Sequence, residues 1–215
     1  MIRSFLSGAL IVAAVTLLPL SLGALESRPA NNADVAFPVP PTYAIRNVGG
    51  RDGAGLCVFT SINWAALMQG EQRLARFQAQ MRAEPGGGYP DKVDAMIAKY
   101  APGVSYLQDE SADWELLLAA VRSRRVPSVT YCGHDPHYGK TTIAHMVNVI
   151  DATPERVVIR DNNFPTKDVV LTAREFRERW EGKRFLVWNG SSYQPVGGGW
   201  AVYLLHTGVP PRITE

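Results

Sequence analysis

Apolar and polar residues follow two different periods in the two parts of the chain. Between Cys57 and Arg125, apolar residues recur at spacings of three and four, which is the period of helices with one buried face. After Pro127, short runs of β-branched and aromatic residues are separated by turn residues, a pattern typical of strands. The order of these patterns predicts an α+β protein with helices first and antiparallel strands second.

Four segments of the first part carry helical signals. "CVFTSINWAALMQG" predicts a helix from Cys57 that ends with Gly70 as its C-cap. "EQRLARFQAQMRA" is amphipathic, and "PDKVDAMIAKY" places Pro90 in a first helical turn. "SADWELLLAAVRSRR" predicts a further helix with Ser111 as its N-cap.

The second part predicts strands at "PSVTYC", "HMVNVIDA", "RVVIRD", "RFLVW" and "GWAVYLLH". One helix, "TAREFRERW", interrupts them, and Thr172 with Glu175 forms a capping box at its start. "NGSSYQPVGGGW" is interpreted as a glycine-rich loop. Tryptophans within apolar segments usually pack in a core, and we interpret all five in this way: Trp64, Trp114, Trp180, Trp188 and Trp200.

The N-terminal segment differs from the rest of the chain. Arg3 precedes a nearly uncharged apolar run from Phe5 to Ala24, so residues 1–24 are predicted to be a secretory signal peptide or, alternatively, a membrane anchor. Residues 25–42 are rich in Pro, Asn and Ala and predict a linker or arm before a single domain at 43–215. Both alternatives predict an exported domain that is periplasmic, secreted or anchored facing outward, and a short leader of this kind is typical of bacteria.

Length and charge limit what this domain can be. A chain of 215 residues can bury one sizeable core but hardly two. Lys and Arg outnumber Asp and Glu by only 22 to 20, and the two signs are mixed along the sequence. Without a basic face, nucleic acid is not an expected partner.

The most informative segment is "GGRDGAGLCVFTSINWA", in which a glycine-rich loop leads to Cys57 at the start of a helix. Unsatisfied N–H groups and the positive end of the helix dipole favour a thiolate there, and the thiolate is the nucleophilic form of cysteine. The same N–H groups can hold an oxyanion. Two alternatives are that Cys57 is a small core residue, or that it forms a disulfide with Cys132 in an oxidising compartment.

A base and an orienting acid follow at the edges of two predicted strands. His145 begins "HMVNVID" and can exchange a proton with a thiol, while Asp161 ends "RVVIRD". A hairpin of these strands brings their ends together, so that Asp161 can bind the second ring nitrogen of the imidazole. Strand alternation places Asn162 on the opposite face unless the strand has ended, and "DNNFP" is alternatively a plain turn.

This order of residues resembles the papain-like cysteine peptidases, most closely the bacterial branch that includes the leader-cleaving domains of bacteriocin exporters. The resemblance runs from Asn47 to His206 and is carried by "GAGLC", "VPSVTY", "HMVNVID", "VVIRDNNFP" and "EFRERW". It implies a catalytic domain at 43–215 with a helical lobe, an antiparallel β lobe and a cleft between them. It also implies Cys57 as nucleophile, His145 as base, Asp161 as orienting residue, a peptide or protein substrate, and no cofactor or metal.

One position departs from the family pattern. The family has a glutamine six residues before the cysteine that helps to bind the oxyanion, and Arg51 stands there in this chain. Either Arg51 or Asn47 takes over that role, or the oxyanion site is impaired and the chain is inactive, and we expect a working but specialised site. Asn162 is a further candidate for an oxyanion or orienting role.

The expected reaction is hydrolysis of an amide bond through a thioacyl intermediate on Cys57. A transamidase would use the same triad, and a catalytically silent binding domain would retain the scaffold alone. The segment "CGHDPHYGKTTIAH" offers a zinc alternative through Cys132, His134, His137 and His145, although its spacing matches no common zinc module.

Overall fold

In a computed structural model of the chain, the described residues are 45–49, 56–134, 142–182 and 185–206. The segments predicted as leader and linker lie outside them, as does Arg51. Within these ranges the protein combines helices with antiparallel sheet, so the predicted α+β fold class is confirmed. No helix in the described ranges is long and apolar enough to span a membrane.

The helices concentrate in the first part of the described chain and the strands in the second. The helices, together with one 3₁₀ turn at Gln72–Leu74, are α1 (Cys57–Gln69), α2 (Phe77–Met81), α3 (Pro90–Tyr100), α4 (Trp114–Arg122) and α5 (Ala173–Trp180). The strands are β1 (Tyr106–Asp109), β2 (Ser128–His134), β3 (Thr142–Ala152), β4 (Arg156–Arg160), β5 (Asp168–Thr172), β6 (Phe185–Trp188), β7 (Tyr193–Val196) and β8 (Ala201–Leu204).

Six strands form one antiparallel sheet in the order β1-β8-β2-β3-β4-β5, and β6 pairs with β7 in a separate hairpin. The central hairpin sets the register that matters for the site, because Tyr131 on β2 lies opposite His145 on β3. On the other side of β3, Asn148 lies opposite Arg160, the last residue of β4. The end of β4 is therefore held beside the middle of β3.

The main sheet is covered on both faces. Helix α1 packs with Met146, Ile150 and Val158 on one face. Helices α4 and α5 pack with Val147 and Ile159 on the other. Burial on both faces explains why β4 is a nearly continuous apolar run in the sequence.

The first part of the chain is not purely helical, which corrects the sequence-based division. Strand β1 lies within it and pairs with β8, with Tyr106 opposite Leu204. The four-residue run is only partly buried, and Leu107 is exposed. Such a short edge strand depends on a partner far along the sequence, so local periodicity does not reveal it.

The helix predicted over "EQRLARFQAQMRA" is broken into the 3₁₀ turn and α2. The Glu71 carboxylate accepts hydrogen bonds from the backbone N–H of Arg73 (3.0 Å) and from its guanidinium Nε (2.9 Å). The Oδ1 of Asn63 accepts from the backbone N–H of Gln78 (3.1 Å). The two bonds from backbone N–H groups satisfy donors that a continuous helix would have satisfied along its own axis.

Helix ends were predicted with mixed success. Pro90 opens α3, Gly70 ends α1 in the left-handed conformation, and the capping box of α5 is present as predicted. Ser111 is not the N-cap of α4: Asp113 is, and its carboxylate accepts from the backbone N–H of Leu116 at 3.0 Å. The hydroxyl of Ser111 instead donates to Asp109 at 2.7 Å.

The segment predicted as a glycine-rich loop contains strand β7, which corrects that interpretation. The turn before it is built by Asn189, whose side-chain oxygen accepts from the backbone N–H groups of Ser191 (2.8 Å) and Ser192 (2.7 Å). Pro195 in β7 lacks a donor, which a two-stranded ribbon tolerates because each strand has a free edge.

Candidate active site

Cys57 is the first residue of α1 and is partly buried. The N-cap residue is Leu56, whose side chain cannot cap the helix. The thiol therefore lies at a helix N-terminus where backbone N–H groups remain to interact with it. The Leu56 N–H, immediately before it, donates to the Asn47 side-chain oxygen at 3.1 Å.

His145 and Asp161 are brought together by the β3–β4 hairpin. The Nε2 atom of His145 lies 2.7 Å from Oδ1 of Asp161, and both residues are buried. Since a carboxylate only accepts, Nε2–H is the donor, and Nδ1 is the ring nitrogen left for the thiol. The backbone N–H of Asn163 also donates to Asp161 Oδ1 at 2.7 Å, which fixes the carboxylate.

The thiol of Cys57 hydrogen bonds with His145, and the two groups shift one another's pKa. Burial by itself raises the pKa of Cys57, but the hydrogen bond and positive charge of His145, with the N–H groups of Met146 and Val58, lower it overall. Burial by itself lowers the pKa of His145, but the Asp161 carboxylate and Cys57 raise it well above the usual range. Both directions favour a thiolate–imidazolium pair.

Asn162 lies beside this pair but does not bind the imidazole. Its side-chain nitrogen donates toward the carbonyl oxygen of Cys57 (3.0 Å), Oγ of Ser61 (2.9 Å) and the carbonyl oxygen of Met146 (3.0 Å). Since β4 ends at Arg160, Asp161 and Asn162 are free of strand alternation and bind different partners. The described contacts of Asn162 are structural, and its nitrogen is occupied by these acceptors rather than turned to an oxyanion.

A second buried asparagine continues this connection. The side-chain nitrogen of Asn148 on β3 donates to the carbonyl oxygen of Ser61 and to Oγ of Ser128, both at 3.1 Å. The Ser61 hydroxyl donates to the Met146 carbonyl at 3.1 Å. We call the four residues that make these bonds the polar clamp: Asn162, Asn148, Ser61 and Ser128. The clamp joins α1 to β2 and β3, and it thereby joins Cys57 to the strand that carries His145.

Asn47 also lies at the site. Its side-chain oxygen accepts from Leu56, as described, and its nitrogen donates to Oδ1 of Asn163 at 3.2 Å. Its backbone N–H donates to the Asn162 carbonyl at 2.8 Å. These bonds join the segment before the nucleophile to the turn that carries Asp161.

A cavity of about 390 Å³ opens at Cys57 and His145. Its described lining includes Trp188 and Trp200, so these two tryptophans have a place at the site besides packing. Trp200 is fully buried, whereas 38% of the Trp188 surface is exposed. The remaining described lining residues are Asn47, Val58, Gly87, Gly88, Thr130, Ala144, Met146, Asn163, Leu186, Val187 and Val196.

Cys57 and Cys132 are both free thiols, so the disulfide alternative does not describe this structure. The zinc alternative depends on His137, which lies outside the described residues, and on the side chain of His134, which is not described either. Among described residues, no group of three or more His, Cys, Asp or Glu side chains could hold a metal ion. Among the described residues, the chemical interpretation therefore rests on the Cys57, His145 and Asp161 arrangement.

Two features of the site were missed in the sequence. Asn148 is a polar residue inside the apolar run "HMVNVID", and that interruption is a usable signal for a buried hydrogen-bonded residue. The sequence also did not reveal that β6 pairs with β7 beside Cys57, although "NGSSYQPVGGGW" is long and glycine-rich enough to border a site.

Comparison with known proteins gives no match: no protein-family model fits the chain, and no curated protein is similar to it. The functional inference therefore rests on the geometry of Cys57, His145 and Asp161. Arg51 lies outside the described residues, so it does not contribute to this inference.

Proposed function

We propose that the chain is a cysteine hydrolase with a two-lobed papain-like arrangement that cleaves an amide bond of a peptide or protein. The observation that carries this proposal is the linear array of a helix-terminal thiol, a buried imidazole bonded to it, and a carboxylate 2.7 Å from the far ring nitrogen. This is the arrangement that activates a thiol as a nucleophile.

The reaction follows from the protonation states of the pair. The Cys57 thiolate adds to the amide carbonyl carbon, and the oxygen takes up the negative charge. As the C–N bond breaks, His145 gives its Nδ1 proton to the leaving amine, which leaves a thioester on Cys57. Neutral His145 then takes a proton from water, hydroxide attacks the thioester, and the released acid and the thiolate–imidazolium pair complete the cycle.

The oxyanion is assigned to two donors. One is the backbone N–H of Cys57 at the start of α1, and the other is the side-chain amide of Asn47, which lines the same cavity. Asn47 is held through its oxygen by Leu56, so its amide is preoriented before substrate binds. An amine in place of water would give transamidation with the same residues.

The pH dependence of Cys57 alkylation tests this proposal on the full chain, with mass spectrometry locating the label. Because the pKa of Cys57 is lowered, labelling by iodoacetamide should decline at a lower pH than it does for an ordinary thiol. An ordinary thiol of pKa about 8.5 is only about 0.3% thiolate at pH 6. His145→Ala should therefore slow labelling at pH 6 by about 100-fold. An ordinary thiol profile in the unsubstituted protein would overturn the proposal.

Turnover is measured on a tryptic digest of casein by mass spectrometry. Hydrolysis should be lost in Cys57→Ser. Asn47→Ala should lower turnover by about 10²-fold, and this loss should exceed any loss of labelling at pH 6, because Asn47 donates to the developing oxyanion besides holding Leu56 and Asn163. Fast labelling without any turnover would favour a silent binding domain over a hydrolase.

Export remains part of the proposal and is supported by the sequence alone, through the charged start and apolar run of residues 1–24. Fractionation of bacteria that express the full chain tests it. Recovery outside the cytoplasm is expected, and purely cytoplasmic recovery contradicts it.

A further inference from the structure

Beside Cys57, the β6–β7 hairpin and the turn at Gly86–Gly88 enclose one end of the cavity. We propose that they form a subsite for an uncharged, apolar side chain of the substrate next to the scissile amide. This inference rests on the proposed function, because it places the subsite in the cavity of the proposed nucleophile. It adds the class of substrate, a peptide with an aliphatic or aromatic residue at that position.

The proposed subsite is part of the same cavity as the proposed nucleophile. Leu186, Val187 and Trp188 of β6 line the same cavity as Cys57 and His145. Val58, the residue after the nucleophile, lines it from α1. A chain bound with its carbonyl carbon at Cys57 therefore has its neighbouring side chain within reach of β6.

The chemistry of the lining selects against charge. None of the described lining residues is Asp, Glu, Lys or Arg, and its polar side chains, Asn47, Cys57, Thr130, His145 and Asn163, include the proposed reacting groups. A charged substrate side chain placed against β6 would lose hydration without meeting an opposite charge among the described lining residues. An apolar side chain gains from the same burial.

Two large apolar side chains of β6 are left in contact with solvent. Leu186 is 63% exposed and Trp188 is 38% exposed. Trp188 meets the ring of Tyr193 edge to face, with centroids 5.2 Å apart, so that β6 and β7 present one aromatic and aliphatic surface. An apolar substrate residue that covers this surface removes it from water, and this burial favours binding.

The opposite wall is held in place by backbone contacts. The N–H of Gly87 donates to the Trp188 carbonyl at 2.9 Å, and the buried Lys92 ammonium donates to the carbonyl oxygens of Pro85 and Gly86. A Cβ on Gly88 would lie 2.4 Å from Cβ of Val58, so only glycine allows this close approach to α1. A subsite with a fixed wall loses little entropy when it binds a side chain.

Labelling of Cys57 in the full chain measures the subsite separately from catalysis. The probes are iodoacetamide, N-benzyl iodoacetamide and N-(4-carboxybenzyl) iodoacetamide at pH 6, with each rate divided by the rate of the same probe on glutathione. The benzyl probe should be favoured over iodoacetamide by about tenfold, which corresponds to burial of part of the ring. The carboxybenzyl probe should lose most of that advantage.

Two exposed aliphatic residues give a matched pair of variants. Leu186→Glu places a carboxylate in the subsite, whereas Val170→Glu makes the same kind of change on β5, at 61% exposure and outside the described cavity lining. In Leu186→Glu and in Trp188→Ala, the glutathione-corrected rate of the benzyl probe should be no more than about threefold that of iodoacetamide. Val170→Glu should retain the full preference. In each variant, the rate of Cys57 labelling by plain iodoacetamide shows whether Cys57 and His145 still form the reactive pair.

The outcomes separate the two proposals. Fast labelling with no benzyl preference, or a preference that survives both Leu186→Glu and Trp188→Ala, overturns the subsite and leaves the hydrolase standing. Slow labelling by every probe, with an ordinary thiol pH profile, overturns the hydrolase proposal itself.

Discussion

The two cysteines of the chain are placed in opposite electrostatic settings. Cys57 begins a helix and bonds with His145, and its pKa is lowered although burial acts against it. Cys132 lies inside β2 with 2% exposure, and burial raises its pKa to about 12. Its described interactions are a hydrogen bond from the backbone N–H of His145 and the unfavourable charge of Cys57.

The comparison shows that burial alone does not make a thiol reactive. Desolvation penalises the thiolate at both positions, and the sign of the net shift depends on whether a positive charge faces the sulfur. The imidazole side chain of His145 faces Cys57, while only its backbone N–H faces Cys132. One histidine thus distinguishes a candidate nucleophile from an inert core thiol.

The largest expected effect separates the two cysteines directly. Cys57→Ala should abolish peptide turnover, a loss on the order of 10³-fold or more, because no other described thiol is poised to attack. Cys132→Ala should keep turnover within about threefold, since its thiol is protonated at neutral pH. Steady-state hydrolysis with both variants checks this, and comparable losses in the two variants would contradict the comparison.

A smaller effect is expected from the group behind the imidazole. Asp161→Asn removes the carboxylate charge that helps raise the pKa of His145, so the imidazolium that stabilises the thiolate becomes less favourable. Labelling of Cys57 at pH 6 should fall by about 10-fold to 100-fold, and the acid limb of the pH profile should move to higher pH.

Asp151→Asn is the matched control for this change. Asp151 is a β3 carboxylate paired with Arg156 on the partly exposed edge of the same hairpin. Its replacement should leave the acid limb in place. An acid limb that stays unmoved in Asp161→Asn would show that the carboxylate does not support the imidazolium.

The smallest effect concerns the polar clamp that joins Cys57 to the strand of His145. Asn162→Ala removes a buried donor shared by Cys57, Ser61 and Met146, and should lower the free energy of unfolding by about 2 kcal/mol. Asn189→Ala also removes three hydrogen bonds, but from an exposed turn, and should cost less than about 1 kcal/mol. Urea denaturation compares the two, and equal losses would argue against the clamp.

Local signals were sufficient for much of the fold. Pro90, Gly70 and the Thr172–Glu175 capping box mark helix ends because each acts on its own turn of backbone. The strands β2, β3, β4 and β8 are long or apolar enough to be found from composition. In contrast, β1, β5 and β7 were not predicted, because they are short and partly exposed and their existence depends on pairing with other strands.

The site was predictable where it follows from strand pairing and unpredictable where it follows from a single turn. The hairpin of β3 and β4 places His145 and Asp161 together, although β3 begins at Thr142, so that His145 lies within the strand and not at its start as predicted. The direction of Asn162 is different, because it is set by the residues after β4 and by acceptors on α1. Sequence spacing does not show which partners the Asn162 side chain binds.

The position of β8 in the sheet has a consequence for how the chain matures. It lies between β1 and β2 and pairs with both, so that Val202 is opposite Gln108 on one side and Ser128 on the other. Strand β1 therefore cannot join the main sheet until the ribosome has made β8, at about 5–20 residues per second. Pairings this distant in sequence also form slowly. Strands β2 to β5 follow one another along the chain and pair without β8, so the strand that carries His145 can find its neighbours before the last strand of the sheet exists.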